Sequence, residues 1–323
     1  GAGGDRVAAR QLLGDEGVGQ QGGARPTQGR RQAAAEEDGG HGVLCCWLPE
    51  ALGGPGADLL FDFIVSEELG RIGATGPGFP LHSIIVAPYL AAHGRPELQQ
   101  ALLPAMVRGD KIAAIAMTEP GTGSDVAGIR TQARREGEHY VLTGQKTFIT
   151  NGHNADLVVV ACKTDPAQGA HGVSLLVVER DMPGFTRGRN LRKIGQHAQD
   201  TAELFFDNVR VPASHLLGGT EGRGFAQLMS DLSYERLLIG VNSLAMMEGA
   251  YDSTLQYVRE RQAFGKPVAE FQNTRFQLAG IATQIQVGRA FIDRCVERQL
   301  EGTLDATTAS MAKLWASEAL GRV

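Results

Sequence analysis

The chain has 323 residues, 42% of them hydrophobic and 6% aromatic, with 31 basic and 36 acidic side chains, a net charge of −5 and a mean hydropathy of −0.14. At about 100–200 residues per domain this length implies two or three domains with a sizeable core. No apolar run approaches the ~20 residues of a membrane-spanning helix, no secretory leader is expected, and the mild acidity argues against nucleic acid or an anionic membrane as partner.

Residues 1–42 hold 12 of the 43 glycines and almost no bulky apolar side chains. Burial there cannot offset the entropy of ordering, so low-complexity, disordered chain is expected. Residues 43–110 read as a helical region: 58–69 and 96–107 place apolar residues at helical spacing, with Pro and Gly punctuating the stretch between them. From 111 to 218 the runs 112–117, 140–143, 147–150, 157–162, 173–178 and 203–211 are short and rich in Val, Ile, Phe and Thr. Turn residues separate them, which predicts an antiparallel barrel or sandwich. From 219 to 323 the helical period returns over 225–260, 271–301 and 306–320, with a break at Pro267. Helices, then strands, then helices define an α+β arrangement.

The four cysteines, Cys45, Cys46, Cys162 and Cys295, show no metal-ligand spacing, and the eight histidines are scattered singly. Reduced structural thiols, a cytosol-like compartment and no metal site are expected.

The most informative segment is 116–128, AMTEPGTGSDVAG. It reads as a strand end, a Pro-Gly turn and a hydroxyl-rich loop whose backbone N–H groups can face an anion or a ring edge. An ordinary loop would read the same way. A second segment, 145–152 (QKTFITNG), lies downstream, and a third, 259–267 (RERQAFGKP), is followed by Gln272. On the long helix, Leu228, Leu232, Glu235 and Ile239 share one face, so Glu235 interrupts an apolar stripe. A carboxylate there is costly unless it is paired or protonated, which leaves a salt bridge and a general base both open.

Taken in this order, the three segments resemble the acyl-CoA dehydrogenase family from about Leu44 to the end, most closely its long-chain and isovaleryl branches. LFFDNVRVP at 204–212 fits as well. The resemblance implies an N-terminal helical domain (43–110), a central antiparallel β-domain (111–218) and a C-terminal four-helix bundle (219–323), assembled as a homotetramer or dimer. It implies bound FAD, although no Rossmann-type GxGxxG between a strand and a helix is read; GVGQQG at 17–22 falls in the low-complexity stretch. Ile115, Ala116, Met117, Thr118, Glu119, Pro120, Gly121, Thr122, Gly123 and Ser124 would line the flavin, with hydrogen bonds from Thr118 and Ser124. Phe148, Ile149 and Thr150 would pack on the isoalloxazine. Arg261 and Gln272 would hold the pyrophosphate and adenosine part of a neighbouring subunit's FAD. By the same resemblance SYERL at 233–237 supplies the base, Glu235, while Ser124, Cys162, Lys163, Ala226, Ser233, Tyr234 and Arg236 line the acyl-CoA path. The implied reaction removes the α-proton with Glu235 and passes a hydride from Cβ to the flavin, giving a trans-2-enoyl-CoA. Electron-transfer flavoprotein then takes the electrons, in the cytoplasm or, in a eukaryote, the mitochondrial matrix.

Two departures from the family are expected: residues 1–42 stand where its N-terminal helices belong, and the chain ends at Val323 inside the bundle's third helix. They leave two other readings open. One is an acyl-CoA oxidase or flavin monooxygenase on the same scaffold; the other is a truncated, non-catalytic relative.

Overall fold

A computed structural model describes residues 42–323; apart from Gly42, the expected disorder of 1–42 lies outside the described residues. The described chain packs as two units, one of 42–58 and 75–230 and the other of 59–74 and 231–323.

The first unit is built on a seven-stranded sheet. Its strands are β1 (Ala113–Ala116), β2 (Gln132–Glu136), β3 (His139–Thr150), β4 (Leu157–Lys163), β5 (Val173–Glu179), β6 (Phe185–Asn190) and β7 (Thr201–Pro212). They pair in the order β1-β4-β2-β3-β7-β6, with β5 also on β4. The sheet is mostly antiparallel, as expected, but β1–β4 and the short β2–β4 contact are parallel. Every residue of β4 is buried, because alternate side chains enter two different cores. Leu157, Val159 and Ala161 pack with helix residues such as Leu90, Leu103 and Met106, whereas Val158, Val160 and Cys162 pack with Tyr140, Leu142, Leu204 and Phe206.

The helical cover of the first core is a π-helical segment (Pro80–Val86) running into α2 (Ala87–His93) and then α3 (Pro96–Val107); α1 (Leu60–Arg71) belongs to the other unit. The region 43–110 is therefore divided between the two units rather than packed as one. His82 ties this cover together. Its Nε2 lies 3.0 Å from the Met106 carbonyl and its Nδ1 3.0 Å from the Ala113 backbone N–H. That pattern requires a neutral ring donating from Nε2 and accepting at Nδ1. Burial accordingly lowers its pKa to about 4, against the Met106 hydrogen bond.

The second unit contains α1, most of α4 (Gly224–Glu260), α5 (Gln272–Leu300) and α6 (Ala306–Arg322), so three helices follow the sheet. Arg289 on α5 joins Glu67 on α1 and Glu248 on α4, the latter at 2.7 Å. Helix α1 lies so close to α4 that a Cβ at Gly249 would meet the Arg71 carbonyl oxygen at 1.9 Å. A two-stranded hairpin, β8 (Gln262–Ala263) and β9 (Lys266–Pro267), links α4 to α5. Its tip residues Phe264 and Gly265 both have positive φ, 53° and 79°, the geometry of a type I′ turn.

Two strands escape the sequence pattern. β2 reads QARRE with only Ala133 fully buried, and β6 reads FTRGRN with only Phe185 buried. The runs at 140–143 and 147–150 belong to one strand, β3, broken by two register shifts against β7. Gly144 sits at the first shift with φ 153°, and a Cβ there would meet Thr131 Oγ1 at 2.4 Å. All four cysteines are buried and none is in a disulfide, and the described residues contain no cluster able to hold a metal ion. Among them no helix is long and apolar enough to cross a membrane.

A neutral His82 adds stability that is present above pH 6.5 and lost as pH falls through its folded value of about 4. Thermal unfolding compared between wild type and His82→Gln should show this loss between those limits. His82→Gln, which keeps one donor and one acceptor, should flatten that part of the curve.

Candidate functional site

The segment 117–124 leaves β1 as a turn closed by Glu119 and Thr122, whose backbone groups exchange hydrogen bonds of 2.8 and 3.0 Å. The Glu119 side chain points inward, 7% exposed, and Lys146 on β3 is 0% exposed. Lys146 Nζ donates to Glu119 Oε1 and to the Met117 carbonyl, both at 2.8 Å. Glu119 also accepts from the backbone N–H groups of Arg130 (2.7 Å) and Thr131 (3.0 Å). Burial opposes the Glu119 charge, but Lys146 and the two N–H donors outweigh it and hold the carboxyl below its usual range. For Lys146 burial wins, and its pKa falls despite the Glu119 partner.

This pair locks two segments together, because the Thr147 N–H donates to the Thr118 carbonyl at 3.0 Å beside it. At the second register shift of β3, Phe148 takes φ 59°. Left-handed backbone costs a non-glycine residue about 1–2 kcal/mol. Its effect is to turn the ring outward, 68% exposed, between buried Thr147 and Ile149. Pro120, Gly121, Gly123 and Ser124 are exposed as well. Among the described residues the hydroxyls of Thr118 and Ser124 and the N–H groups of Gly123 and Ser124 have no protein hydrogen bond. The result is a rigid ledge of open donors beside an exposed aromatic ring.

Several expected ligand residues face elsewhere. Ile115, Ala116 and Ile149 are core, and the Glu119 oxygens are taken. Cys162 is fully buried in β4, and burial pushes its thiol up to about 12. Lys163 is buried too, with its ammonium on the Gly169 carbonyl. Both side chains lie in a strand buried on its two faces. Ala226 is exposed in the first turns of α4, beside a pocket of about 580 Å³ that His93, Arg223 and Gln227 also line.

In the helical unit Glu235 is half-buried on α4. The stripe expected around it opens outward along the helix: Leu228 is buried but Ile239 is 42% exposed. The core of α4 is instead Leu237, Leu238, Val241, Leu244 and Ala245. Ser233 is half-buried, and Arg236 donates to Ser310 Oγ on α6 at 3.3 Å. Tyr234 donates to Asp62 on α1 at 3.0 Å. Arg261 and Gln272 are exposed on either side of the β8–β9 hairpin.

The sequence pattern alone does not single out two buried charges, Lys146 in the sheet unit and Asp62 on α1 in the helical unit. Both carry a signal, a charge at an inward position of a strand and an acid within LLFDFIV.

The family models for the acyl-CoA dehydrogenase N-terminal, middle and C-terminal domains match residues 20–110, 114–209 and 222–323. The first match begins well before Leu44, so 20–43 align with the family as well. The rat mitochondrial long-chain specific acyl-CoA dehydrogenase is 48% identical over 285 residues, covering 88% of this chain and 66% of that protein. The crystal structure of an acyl-CoA dehydrogenase from Geobacillus kaustophilus superposes with a TM-score of 0.90 at 48% identity, covering 98% of this chain and 84% of that one. A glutaryl-CoA dehydrogenase from Mycobacterium smegmatis in complex with FADH2 gives a TM-score of 0.87 at 28% identity, covering 98% and 80%. The chain belongs to the acyl-CoA dehydrogenase family.

Removing one partner of a buried ion pair leaves the other charge unpaired, at a cost of about 3–5 kcal/mol. Lys146→Met should lower unfolding free energy on that scale in chemical denaturation, and adding Glu119→Gln should recover most of it. The Glu119 contribution should also be lost as pH falls through its depressed folded value.

Proposed function

We propose that this chain is an FAD-dependent acyl-CoA dehydrogenase that converts a saturated acyl-CoA thioester to the trans-2-enoyl-CoA. The observation that carries the reading is the ledge at 117–124 with the outward Phe148 beside it. It offers a flavin the open hydroxyls of Thr118 and Ser124, free N–H groups at Gly123 and Ser124, and an aromatic ring. These residues suit a group with a polar ring edge and an apolar ring face. When bound, FAD would supply the two-electron acceptor for the hydride leaving Cβ. Ser124 also suits the thioester end of the substrate. Arg261, a cation, and Gln272 suit the pyrophosphate and adenosine of a second copy's cofactor.

Glu235 acts as the general base. The thioester carbonyl acidifies the neighbouring α-hydrogen, and a positioned carboxylate removes it. Ser233 and Arg236 flank it along the acyl-CoA path, and Ala226 lies further back on the helix. Exposed Tyr257, Phe264 and Phe276, close to Arg261 in sequence, favour a homo-oligomer, which we assign as a tetramer. Electron-transfer flavoprotein is the proposed acceptor, and the site of action is the cytoplasm or mitochondrial matrix.

The test is reconstitution with FAD followed by anaerobic mixing with acyl-CoA. The wild-type chain should bleach its flavin, and Glu235→Gln should slow this by about 10²–10⁴-fold, the range for losing a general base. Bleaching at the wild-type rate in Glu235→Gln would place the base elsewhere. Stoichiometric peroxide during turnover in air would make the protein an oxidase, and a chain that takes up no flavin would make it a binding protein.

A further inference from the structure

The structure contains a buried acid that the proposed reaction does not use. Asp62 lies on α1, 2% exposed, within an apolar stretch of the helix. The Tyr234 hydroxyl donates to its Oδ2 at 3.0 Å, and the Tyr234 ring meets Phe63 edge-on at 5.5 Å. Tyr234 immediately precedes Glu235, about 100° away around the helix. Holding one side chain at both its ring and its tip therefore sets the direction of the next.

The same seam continues along both helices. Asn242 Nδ2 donates to the Ser66 carbonyl at 3.1 Å, and a Cβ at Gly70 would meet the Asn242 carbonyl at 2.9 Å. Asp62, Ser66 and Gly70 recur every fourth residue, so they form one stripe of α1. That stripe blocks both sliding and rotation of α4. We propose that Asp62 and Tyr234 are a positioning pair for Glu235: the buried carboxyl on α1 holds the tyrosine hydroxyl and so aims the base. This rests on the reading of Glu235 as the base.

An apolar contact would hold two helices together without the desolvation that a buried carboxyl incurs. What the hydrogen bond adds is direction. Burial raises the Asp62 pKa to about 7, with the Tyr234 hydrogen bond pulling the other way. Several other charged groups on these helices have partners of their own. Glu67 and Glu248 are held by Arg289 from α5, Glu68 faces Arg71 at 3.8 Å, and Arg236 reaches Ser310 on α6.

The experiment compares Tyr234→Phe, which keeps the ring, with Asp62→Leu and Asp62→Asn in the FAD-loaded chain. Flavin bleaching by palmitoyl-CoA and affinity for the enoyl product are both measured. Tyr234→Phe and Asp62→Leu should slow bleaching by about 10- to 100-fold, the cost of a base misplaced by an ångström, with product affinity nearly unchanged. Asp62→Asn, which still accepts from Tyr234, should restore most of the rate. A readout free of turnover accompanies this. The Asp62 contribution to stability should fall as pH rises from the ordinary carboxylate value of 3.8 through about 7, because the folded state holds the Asp62 proton more tightly. It is read as the difference between wild type and Asp62→Asn, whose stability should rise more steeply with pH over that range.

Wild-type bleaching in Tyr234→Phe would overturn the proposal, and so would rate and affinity falling together in all three variants. Should Asp62→Leu not fold, Tyr234→Phe alone decides. Glu235→Gln, run in parallel, separates the two readings. If it bleaches normally, the base assignment fails; if it is inert while Tyr234→Phe is normal, only the positioning role fails.

Discussion

A charged pair sealed inside the sheet is the constraint on which the candidate cofactor ledge depends. Glu119 and Lys146 are both buried, and their bonds tie three parts of the chain together, at 117–119, 130–131 and 146. A buried charge has few tolerable arrangements, because any loose geometry leaves it desolvated and unpaired. Meeting that requirement draws the end of β1, the start of β2 and the middle of β3 to one point. The Thr118–Thr147 backbone bond and the outward turn of Phe148 follow from it. Open donors at 118–124 can remain without acceptors because the loop's own geometry is set from beneath.

The helical unit uses different means to a similar end. Glycines at 70 and 249 let α1 approach α4 closely, while Arg289 and the Asp62–Tyr234 bond fix its register. Close packing alone resists separation of helices but tolerates small rotations, whereas directional polar contacts do not. This explains why α1, early in sequence, packs with helices that lie some 170 residues later. Chain order and packing units need not coincide when a short helix completes a bundle.

Much of the architecture was legible in the sequence because it rests on periodicity. The runs at 157–162 and 225–260 are long and uniform, and both emerge as single elements. What escaped did so for identifiable reasons. β2 and β6 are strands held by their neighbours, with charged residues on the open face, so alternation is weak. The helical cover from Pro80 to His93 begins among Pro and Gly residues that ordinarily signal loops. The parallel β1–β4 pairing depends on tertiary contacts that no local pattern encodes.

The site was legible in position but less so in direction. A motif states which backbone lies near a ligand, whereas the face of a strand states which side chains can touch it. In β3 the inward set runs Tyr140, Leu142, Lys146 and then Ile149, and only the register shift lets Phe148 leave that alternation. Without the shift a residue flanked by inward neighbours would still alternate, and the strain at φ 59° would have no purpose. Cys162 and Lys163 show the converse, since β4 has no shift and no open face. Glu235 differs from all of these because a helix distributes direction continuously, by about 100° per residue. A half-buried acid on such a helix takes part of its direction from the helix's rotation, which both sequence neighbours help to fix, Tyr234 against Asp62 on α1 and Arg236 against Ser310 on α6.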